Sequence, residues 1–568
     1  MTAIPELETP QRVVQPSAEL RVPARKPAPA PRRILGTALP WVRLLALLLV
    51  AALTQAIYVF TWPLSYFMTQ TTEFTSEYLM QYPEVWERLT LLLMRFEQFW
   101  PGAHRSLDFL VDAMMQMFIG AFILYLLAVL LVRSGLPPLL GTAAVVAPPL
   151  AFHVTLFAMP GLYTTDMFSY VMYSHIAAVI GANPYLSPPS WFPDVRVFHW
   201  IHPIWHNAPS IYGPAWIDLT LPLARAVATS SDVDKVLAYK TLVNVAHLLG
   251  VICLAYVVHR VRPGRVHEAI VLYAWNPLIV FEFGGNGHND AVMVSVMLLS
   301  LALYVTSARW VGMLAATISM LLKMTSLFLL PYYAMAWARE QKTWRGFFGV
   351  GILASLTVPV TIAAFYYPWW AGVETIAPIL SWSQGPMYNN YTPDSIAFYL
   401  AAQRIKEATT TVDPAVVLNE SRETVKNVAR IFFVIWCAVE LWRVRGPLGI
   451  AGAGARVMMV FLVAVNTWVL PWYFSWPLAL AVVLGWESTT AKVLIGFSLS
   501  APTVMYYHHF WHPYMSDSTY LLYLAPLAIA PVMWVWSSIV SRWRARRHAA
   551  TPPDGGGRDG LAVAQVRR

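Results

Sequence analysis

The sequence predicts an all-α, polytopic membrane protein with about 14 transmembrane helices and a large outer loop that carries juxtamembrane helices. The first observation is composition: of 568 residues, 57% are hydrophobic and 12% are charged, against about 25% charged in ordinary soluble domains. The second is that apolar windows of roughly 17 to 25 residues, long enough to cross the hydrocarbon of a bilayer, recur along the chain. The net charge of +9 is spread between these windows and forms no basic patch with interleaved aromatic residues, which argues against nucleic-acid binding.

The apolar windows divide the chain into a membrane domain, residues 41–540, and two basic tails. The tails, 1–40 and 541–568, are Pro-rich or Gly-rich and are expected to be disordered and cytoplasmic. The first window is too long for a cleavable signal peptide and is expected to remain as a span. Spans are predicted at about 41–62, 109–132, 139–158, 236–258, 267–284, 290–306, 310–322, 324–338, 346–367, 428–443, 454–470, 472–486, 491–507 and 518–538.

The distribution of Lys and Arg predicts the orientation of these spans. Basic residues cluster before the first span and in alternate short loops, so both termini are expected to be cytoplasmic. The long loops 63–108, 159–235 and 368–427 then face outward. The apolar stretch 212–227 would reverse this arrangement if it crossed the bilayer. We therefore expect it to lie along the outer surface as an amphipathic helix, with Asp218 and Arg225 on its wet side.

Asp166 is a single carboxylate at the end of an apolar run, in GLYTTDMFSYVMYSHIAAVIGANPY. Beside a membrane, a carboxylate can act as a general base toward a hydroxyl, provided that it is held within hydrogen-bond reach of the proton. The alternative is that Asp166 caps the following helix by accepting a free backbone N–H. Both roles stay open for the sequence alone, and one side chain can perform both.

Two further polar features occur at predicted outer ends of spans. GGNGHND, residues 284–290, combines glycines that permit a close backbone approach with His288, Asn289 and Asp290; helix capping by Asn289 or Asp290 is the alternative. Lys323 lies between two short spans, where a charge needs a partner or water. Its side chain either snorkels to the interface or offers its ammonium to a phosphate.

The loop before the predicted in-plane helix is rich in histidine and tryptophan. His199, His202 and His206 have a spacing that suits zinc on a helix, but Pro203 interrupts that helix, so interfacial packing is the favoured interpretation. Arg196 in the same loop can hold an anion. Most tryptophans of the outer loops are expected to form an interfacial belt, and a minority to stack on sugars: Trp191, Trp200, Trp205, Trp216, Trp369, Trp370 and Trp382.

Four motifs, in this order, resemble the signatures of the C-type (GT-C) glycosyltransferases: DMFSYVMYSHIAAVIGANPY, YGPAW, WNPLIVFEFGGNGHNDAVM and LLKMTSLFLLP. The nearest resemblance is to bacterial mannosyltransferases that use polyprenol-phosphate-mannose, and it covers about residues 139–340. It implies a GT-C fold and an enzyme that transfers a hexose, mannose above all, from a polyprenyl-phosphate donor to an acceptor hydroxyl on a glycan or lipid-linked glycan. The reaction would take place at the outer face of the cytoplasmic membrane.

The resemblance also assigns roles to residues. Family members carry an essential Asp in the first large outer loop, and Asp166 occupies that place as the expected general base. Lys323, with Arg196 behind it, would bind the donor phosphate. The side chains expected to bind the sugar or acceptor come from the quoted motifs: His288, Asn289, Asp290, Tyr170, Asn183, Tyr185 and Tyr212. No cofactor is implied with certainty, and a divalent metal shared by Asp166 and Asp290 is left open.

Two alternatives from other functional classes remain at this point. A transporter or lipid flippase would also be polytopic, but such proteins usually contain internal repeats, and none is convincing here. An en bloc glycan ligase or polymerase would use a diphosphate-linked donor and would need additional cations. The outer loops offer Arg196, Arg225 and Lys235 for that purpose.

Overall fold

A computed structural model describes residues 34–69, 71–102, 106–378, 391–408, 412–506 and 525–529, together with 532 and 535. Within these ranges all regular elements are helices and there is no strand, so the predicted all-α class is confirmed. The chain begins its first helix at Ile34, ahead of the predicted boundary at residue 41. The remainder of the two predicted tails lies outside the described residues.

The helices of the first half alternate between long apolar ones and shorter ones in the connecting segments. In chain order they are α1 (Ile34–Met68), α2 (Thr72–Gln81), α3 (Pro83–Phe99), α4 (Leu107–Arg133), α5 (Pro138–Phe157), α6 (Asp166–His175), α7 (Pro214–Ala226) and α8 (Asp232–Val261). The ends of α8 follow simple electrostatic rules. Its first turn carries Asp232 and Asp234 and its last turn carries His259 and Arg260, each complementary to the helix dipole.

The second half contains shorter and more frequently broken helices. They are α9 (Val266–Ala274), α10 (Pro277–Gly285), α11 (Asp290–Val305), α12 (Arg309–Leu322), α13 (Leu330–Arg339), α14 (Trp344–Tyr366), α15 (Tyr391–Glu407), α16 (Pro414–Arg443), α17 (Gly446–Val460), α18 (Ser475–Leu484) and α19 (Thr489–Tyr506). The predicted span 267–284 is therefore two helices. It breaks before Pro277, which lacks a backbone N–H, and the Asn276 side chain caps α10 by accepting the Leu278 N–H at 3.1 Å.

Six of the described helices are long and apolar enough to cross a membrane: α1, α4, α5, α8, α14 and α17 with its continuation to Val465. The pair α10 and α11, bent by 119°, could make a seventh span. The chain is thus a multi-pass membrane protein, while the predicted count of about fourteen spans stays a prediction.

Several predicted spans are short: α12 has 14 residues, about 21 Å of helix at 1.5 Å per residue. The predicted span 518–538 lies mostly outside the described residues.

The centre of the structure is formed by α8, α11 and α12. Helix α11 packs along both neighbours, and α10 lies against α5. Helices α8 and α11 cross closely at Gly250, where a Cβ would meet the Ser295 Oγ at 2.4 Å. Small residues allow this approach, as they do in other membrane helix pairs. The close packing brings both ends of α11 against α8 and α12.

The predicted outer loops contain helices that position the candidate site. Loop 63–108 holds the end of α1 together with α2 and α3, and loop 159–235 holds α6, several short 3₁₀ turns and α7. The helix expected at 212–227 is confirmed at Pro214–Ala226. Its carboxylate Asp218 accepts a hydrogen bond from the Trp369 indole at 3.0 Å, and Arg225 is exposed. The orientation of α7 along a membrane surface stays a prediction.

Candidate active site

The break between α10 and α11 places the GGNGHND segment at the centre of the site. Gly287 has φ +73°, a conformation that favours glycine, and a Cβ there would meet Met167 at 2.4 Å and Lys240 at 3.0 Å. The backbone can therefore turn sharply between α6 and α8. This turn directs the following His288 side chain toward the start of α6.

Asp166 is the first residue of α6, and its carboxylate faces His288. The Asp166 Oδ2 lies 3.6 Å from the His288 Nδ1, and 23% of the Asp166 side chain is exposed. The N-cap residue of α6 is Thr165, whose side chain makes no capping hydrogen bond, and Asp166 occupies the next position. Burial raises the pKa of the Asp166 carboxyl above its ordinary value, and the charges of His288 and Lys323 oppose that rise. A raised pKa is the property expected of a carboxylate that accepts a proton near neutral pH.

His288 connects Asp166 to a second carboxylate, Glu282, which the sequence analysis did not single out. The His288 Nε2 lies 3.2 Å from the Glu282 Oε2. Glu282 in turn accepts hydrogen bonds from the Tyr506 hydroxyl at 2.8 Å and from the Asn286 amide at 2.9 Å. The His288 ring also stacks on Trp472, with ring centroids 3.7 Å apart. The imidazole is thereby fixed between two carboxylates.

Lys323 lies at the end of α12, and its partner is Asp290, the first residue of α11. The ammonium donates to both carboxylate oxygens of Asp290, at 2.7 and 2.8 Å, which supplies the partner that a membrane lysine requires. Asp290 also accepts the Trp476 indole N–H at 2.5 Å and is fully buried. The Lys323 ammonium lies 4.9 Å from the Tyr473 ring centroid and is 19% exposed. Asp290 therefore holds Lys323 and does not itself line the cavity described next.

A cavity of about 100 Å³ brings Asp166 and Lys323 together. Its walls come from four distant parts of the chain: the start of α6, the loop before α7, the end of α12 and the segment before α18. We call it the catalytic cavity. Its lining residues are Thr164, Thr165, Asp166, His202, Ile204, Trp205, Ile211, Tyr212, Lys323, Trp468, Leu470, Trp472 and Tyr473.

The tyrosines and the asparagine predicted to bind the sugar have different positions. Tyr212 lines the catalytic cavity, and the Tyr170 hydroxyl lies behind it, 3.4 Å from the His288 Nδ1. Asn183 donates to the Trp369 carbonyl at 2.7 Å and accepts the Tyr185 N–H, while the Tyr185 hydroxyl donates to the Tyr212 carbonyl at 3.0 Å. Asn183 and Tyr185 do not line the cavity, and they hold the loop that presents Tyr212.

The remaining side chains that were candidates for binding a substrate or a metal do not line the catalytic cavity. Arg196 pairs with Glu77 and lies over the Trp200 ring at 5.5 Å, so it does not reach the cavity. Asn289 precedes α11 and makes no capping bond, and its side-chain oxygen is buried without a hydrogen-bond partner in the described structure. His206 is directed to the Ile201 carbonyl, at 3.0 Å. Within the described ranges no group of three or more His, Cys, Asp or Glu side chains is arranged to hold a metal ion.

Known proteins that resemble this chain are mannosyltransferases. The family described as "Alpha-(1->6)-mannopyranosyltransferase, N-terminal domain" matches residues 95–339. That segment contains Asp166, Glu282, His288, Asp290 and Lys323. Residues 95–339 are therefore similar to this mannosyltransferase family.

Individual relatives of this family extend the likeness over more of the chain. Alpha-(1→6)-mannopyranosyltransferase A of Mycobacterium tuberculosis is 25% identical over 401 residues, which are 65% of this chain and 73% of the relative. The A enzyme of Corynebacterium glutamicum is 23% identical over 354 residues, 56% of this chain and 68% of the relative. The B enzyme of C. glutamicum is 29% identical over 147 residues, 25% and 23% of the two chains. The predicted resemblance and the predicted enzyme class, a membrane mannosyltransferase, are confirmed.

Proposed function

We propose that this membrane mannosyltransferase transfers mannose from a polyprenyl-phosphate donor to a sugar hydroxyl, at the outer face of the cytoplasmic membrane, with Asp166 as the general base. The observation that carries the proposal is that Asp166 and Lys323, which are far apart in sequence, line one cavity. The reaction needs a base for the incoming hydroxyl and a cation for the departing phosphate. The outer location rests on the distribution of Lys and Arg between the spans.

Asp166 is the group best suited to take the proton from the acceptor. Among the described residues, it is the only carboxylate that lines the catalytic cavity. Glu282 and Asp290 are fully buried behind it and are occupied by Tyr506, Asn286, Lys323 and Trp476. His288 lies between Asp166 and Glu282, so it can orient the Asp166 carboxylate.

The leaving phosphate would be stabilised by Lys323. As the bond between the anomeric carbon and the phosphate oxygen breaks, the phosphodiester becomes a monoester with one additional negative charge. An ammonium that is preorganised by Asp290 and by the Tyr473 ring can meet that charge without large reorganisation. A single displacement inverts the anomeric centre. The α-(1→6) linkage in the names of the relatives then requires a β-linked donor.

The lining of the catalytic cavity favours a monophosphate over a diphosphate. In the part of the chain that the structure describes, Lys323 is the one Lys or Arg that lines it. Of the additional cations that a diphosphate donor could use, Lys235 pairs with Asp232 at 2.9 Å, Arg196 pairs with Glu77, and Arg225 does not line the cavity. Apolar side chains on the same wall offer contact for the first prenyl units: Ile211, Trp468, Leu470 and Trp472.

The experiment that tests the proposal compares Asp166→Asn with Asp218→Asn. Asp218 is a matched control because burial also raises the pKa of its carboxyl, and yet it lies outside the catalytic cavity. With polyprenyl-phosphate mannose as donor and a synthetic α-(1→6)-linked mannobioside as acceptor, we expect Asp166→Asn to lower kcat by about 10²- to 10⁴-fold, the usual contribution of a general base. Asp218→Asn should retain transfer. Normal turnover by Asp166→Asn would rule out this base.

The thermal stability of Asp166→Asn separates a lost base from a lost fold. Because burial raises the Asp166 pKa, ionisation of this carboxyl at neutral pH costs stability, and that cost disappears as the pH falls and the carboxyl is protonated. We therefore expect Asp166→Asn to melt at or above the wild-type temperature at pH 7, with the difference narrowing in acid. Parallel assays with polyprenyl-phosphate glucose and a diphosphate-linked glycan test the donor. Consumption of the diphosphate-linked glycan alone would replace the donor proposed here.

A further inference from the structure

A second cavity, of about 310 Å³, adjoins the catalytic cavity. We call it the side groove. It is formed by the start of α2, by the loop 199–203 and by Thr165, and its lining residues are Thr71, Thr72, Glu73, Thr165, His199, Trp200, Ile201, His202 and Pro203. Thr165 and His202 line both cavities, and Thr165 directly precedes Asp166. A ligand in the side groove therefore reaches Asp166 past these two residues. The groove volume is at the lower end of the range of about 300 to 1,000 Å³ for small-molecule sites.

The side groove has the opposite electrostatic character from the catalytic cavity. Its lining contains the carboxylate Glu73 and, among the described residues, no Lys or Arg. The nearest cation of the same loop, Arg196, is held by Glu77 and lies over Trp200. A phosphate in the groove would lie beside the like charge of Glu73. Hydroxyl groups, in contrast, can donate to Glu73 and exchange hydrogen bonds with His199 and His202.

The walls of the side groove are fixed in place. Trp200 is buried, with its ring against Phe74 and Phe168, and its indole N–H donates to Glu73 at 3.4 Å. Helix α2 is tied to the rest of the protein by the Tyr82 hydroxyl, which donates to Asp234 at 2.7 Å. A groove with rigid walls binds its ligand without a large ordering cost.

We infer that the side groove binds the acceptor, and that the acceptor is a neutral saccharide whose terminal hydroxyl passes Thr165 and His202 to reach Asp166. The inference rests on the proposed function in that it assigns the acceptor of the same reaction. It divides the two substrates by charge: the anionic donor occupies the cavity lined by Lys323, and the uncharged acceptor occupies the groove lined by Glu73.

The test measures binding and turnover separately in the full-length protein. The synthetic α-(1→6)-linked mannobioside is titrated by calorimetry in the absence of donor, and its KM is measured at saturating polyprenyl-phosphate mannose. Glu73→Ala removes the carboxylate, and Thr72→Trp fills the groove with a large side chain. We expect each change to raise the acceptor Kd and KM at least tenfold while the donor KM stays unchanged. Glu87→Ala, an exposed carboxylate on α3 outside both cavities, is the matched control and should change neither constant.

The outcomes distinguish the two proposals. If both variants bind and use the mannobioside with wild-type constants, the assignment of the side groove is wrong, whatever the donor. If the donor KM rises together with the acceptor KM, the division of substrates by charge is wrong. If the wild-type protein turns over no polyprenyl-phosphate sugar and yet binds the mannobioside in a manner that Thr72→Trp abolishes, the proposed function fails and the groove assignment stands.

Discussion

At the scale of single residues, the pKa of the Asp166 carboxyl depends on the charged side chains around it. His288 and Lys323 lower the pKa of the Asp166 carboxyl, and the carboxylates Asp290 and Glu282 raise it. These residues come from α10, the connection to α11, α11 itself and the end of α12. Sequence spacing offers no means of summing such contributions, because each depends on a distance across the fold.

Lys323→Met should therefore change the pH dependence of transfer as well as the affinity for the donor. Activity requires the Asp166 carboxylate, so kcat/KM should fall as the pH drops through the raised Asp166 pKa. Loss of the Lys323 ammonium removes a charge that lowers this pKa, and the acidic limb of the pH profile should then move to higher pH. The donor KM should also increase. Arg196→Met, which removes a cation outside the catalytic cavity, is the control; an acidic limb unchanged in Lys323→Met would contradict the assigned electrostatics.

Several of these residues could be found in the sequence, and others could not. Asp166 and Lys323 were visible because a charge at the end of an apolar run is costly and needs a reason. Glu282 gives the same signal, because it is a carboxylate inside the apolar run WNPLIVFEFGG. The sequence analysis does not single it out, since the polar cluster that follows it is the more prominent feature. The pairing of Asp290 with Lys323 could not be predicted, since it depends on how α11 and α12 pack.

At the scale of elements, the site depends on the broken connection between α10 and α11. The bend of 119° separates the two helices at the GGNGHND segment, where the sequence also divides the predicted spans 267–284 and 290–306. It is possible because Gly287 adopts a positive φ and leaves room for Met167. The residues after the bend then point toward α6 instead of along the helix axis.

Gly287→Ala tests this element against a control with the same backbone strain. Gly264 also has a positive φ, +82°, but a Cβ there would have no neighbour within 4 Å. Both substitutions should cost about 1 kcal/mol for the left-handed backbone. Only Gly287→Ala forces a Cβ against Met167, at 2.4 Å, and we expect it alone to reduce kcat by tenfold or more, since His288 must shift. Equal activities of the two variants, measured with donor and mannobioside, would show that the turn does not position His288.

At the scale of the whole molecule, a buried carboxylate joins segments at the end predicted to face the cytoplasm. Glu268 on α9 is 3% exposed and lies 3.3 Å from Arg133 and 3.1 Å from Arg265. It also accepts the Trp486 backbone N–H at 3.0 Å. The contacts connect α4, α9 and the loop after α18, which lie outside the candidate site.

Glu268→Gln should destabilise the fold without a direct effect on catalysis. Removing one partner of a buried ion pair costs on the order of 3 kcal/mol. The matched control is Glu487→Gln, which belongs to the same cluster but is 52% exposed, where a pair contributes about 0 to 1 kcal/mol. We expect a clear decrease in the melting temperature of the detergent-solubilised protein for Glu268→Gln and a small one for Glu487→Gln, with the donor KM unchanged in both. A similar melting temperature for the two variants would mean that burial does not strengthen this cluster.

The sequence by itself determined that the chain is an all-helical membrane protein, that it resembles membrane mannosyltransferases, and that Asp166 and Lys323 are its most informative charges. These conclusions depend on composition, on the length of apolar runs and on short motifs, all of which are local properties. The tertiary structure alone decided that Asp290 holds Lys323, that Glu282 holds His288, and that a groove lined by Glu73 meets the cavity of Asp166. The physical reason is that the contact of Asp290 with Lys323 and the meeting of the two cavities join segments far apart in the sequence, while the contact of Glu282 with His288 depends on the bend between α10 and α11. All three depend on helix packing, which local sequence patterns do not encode.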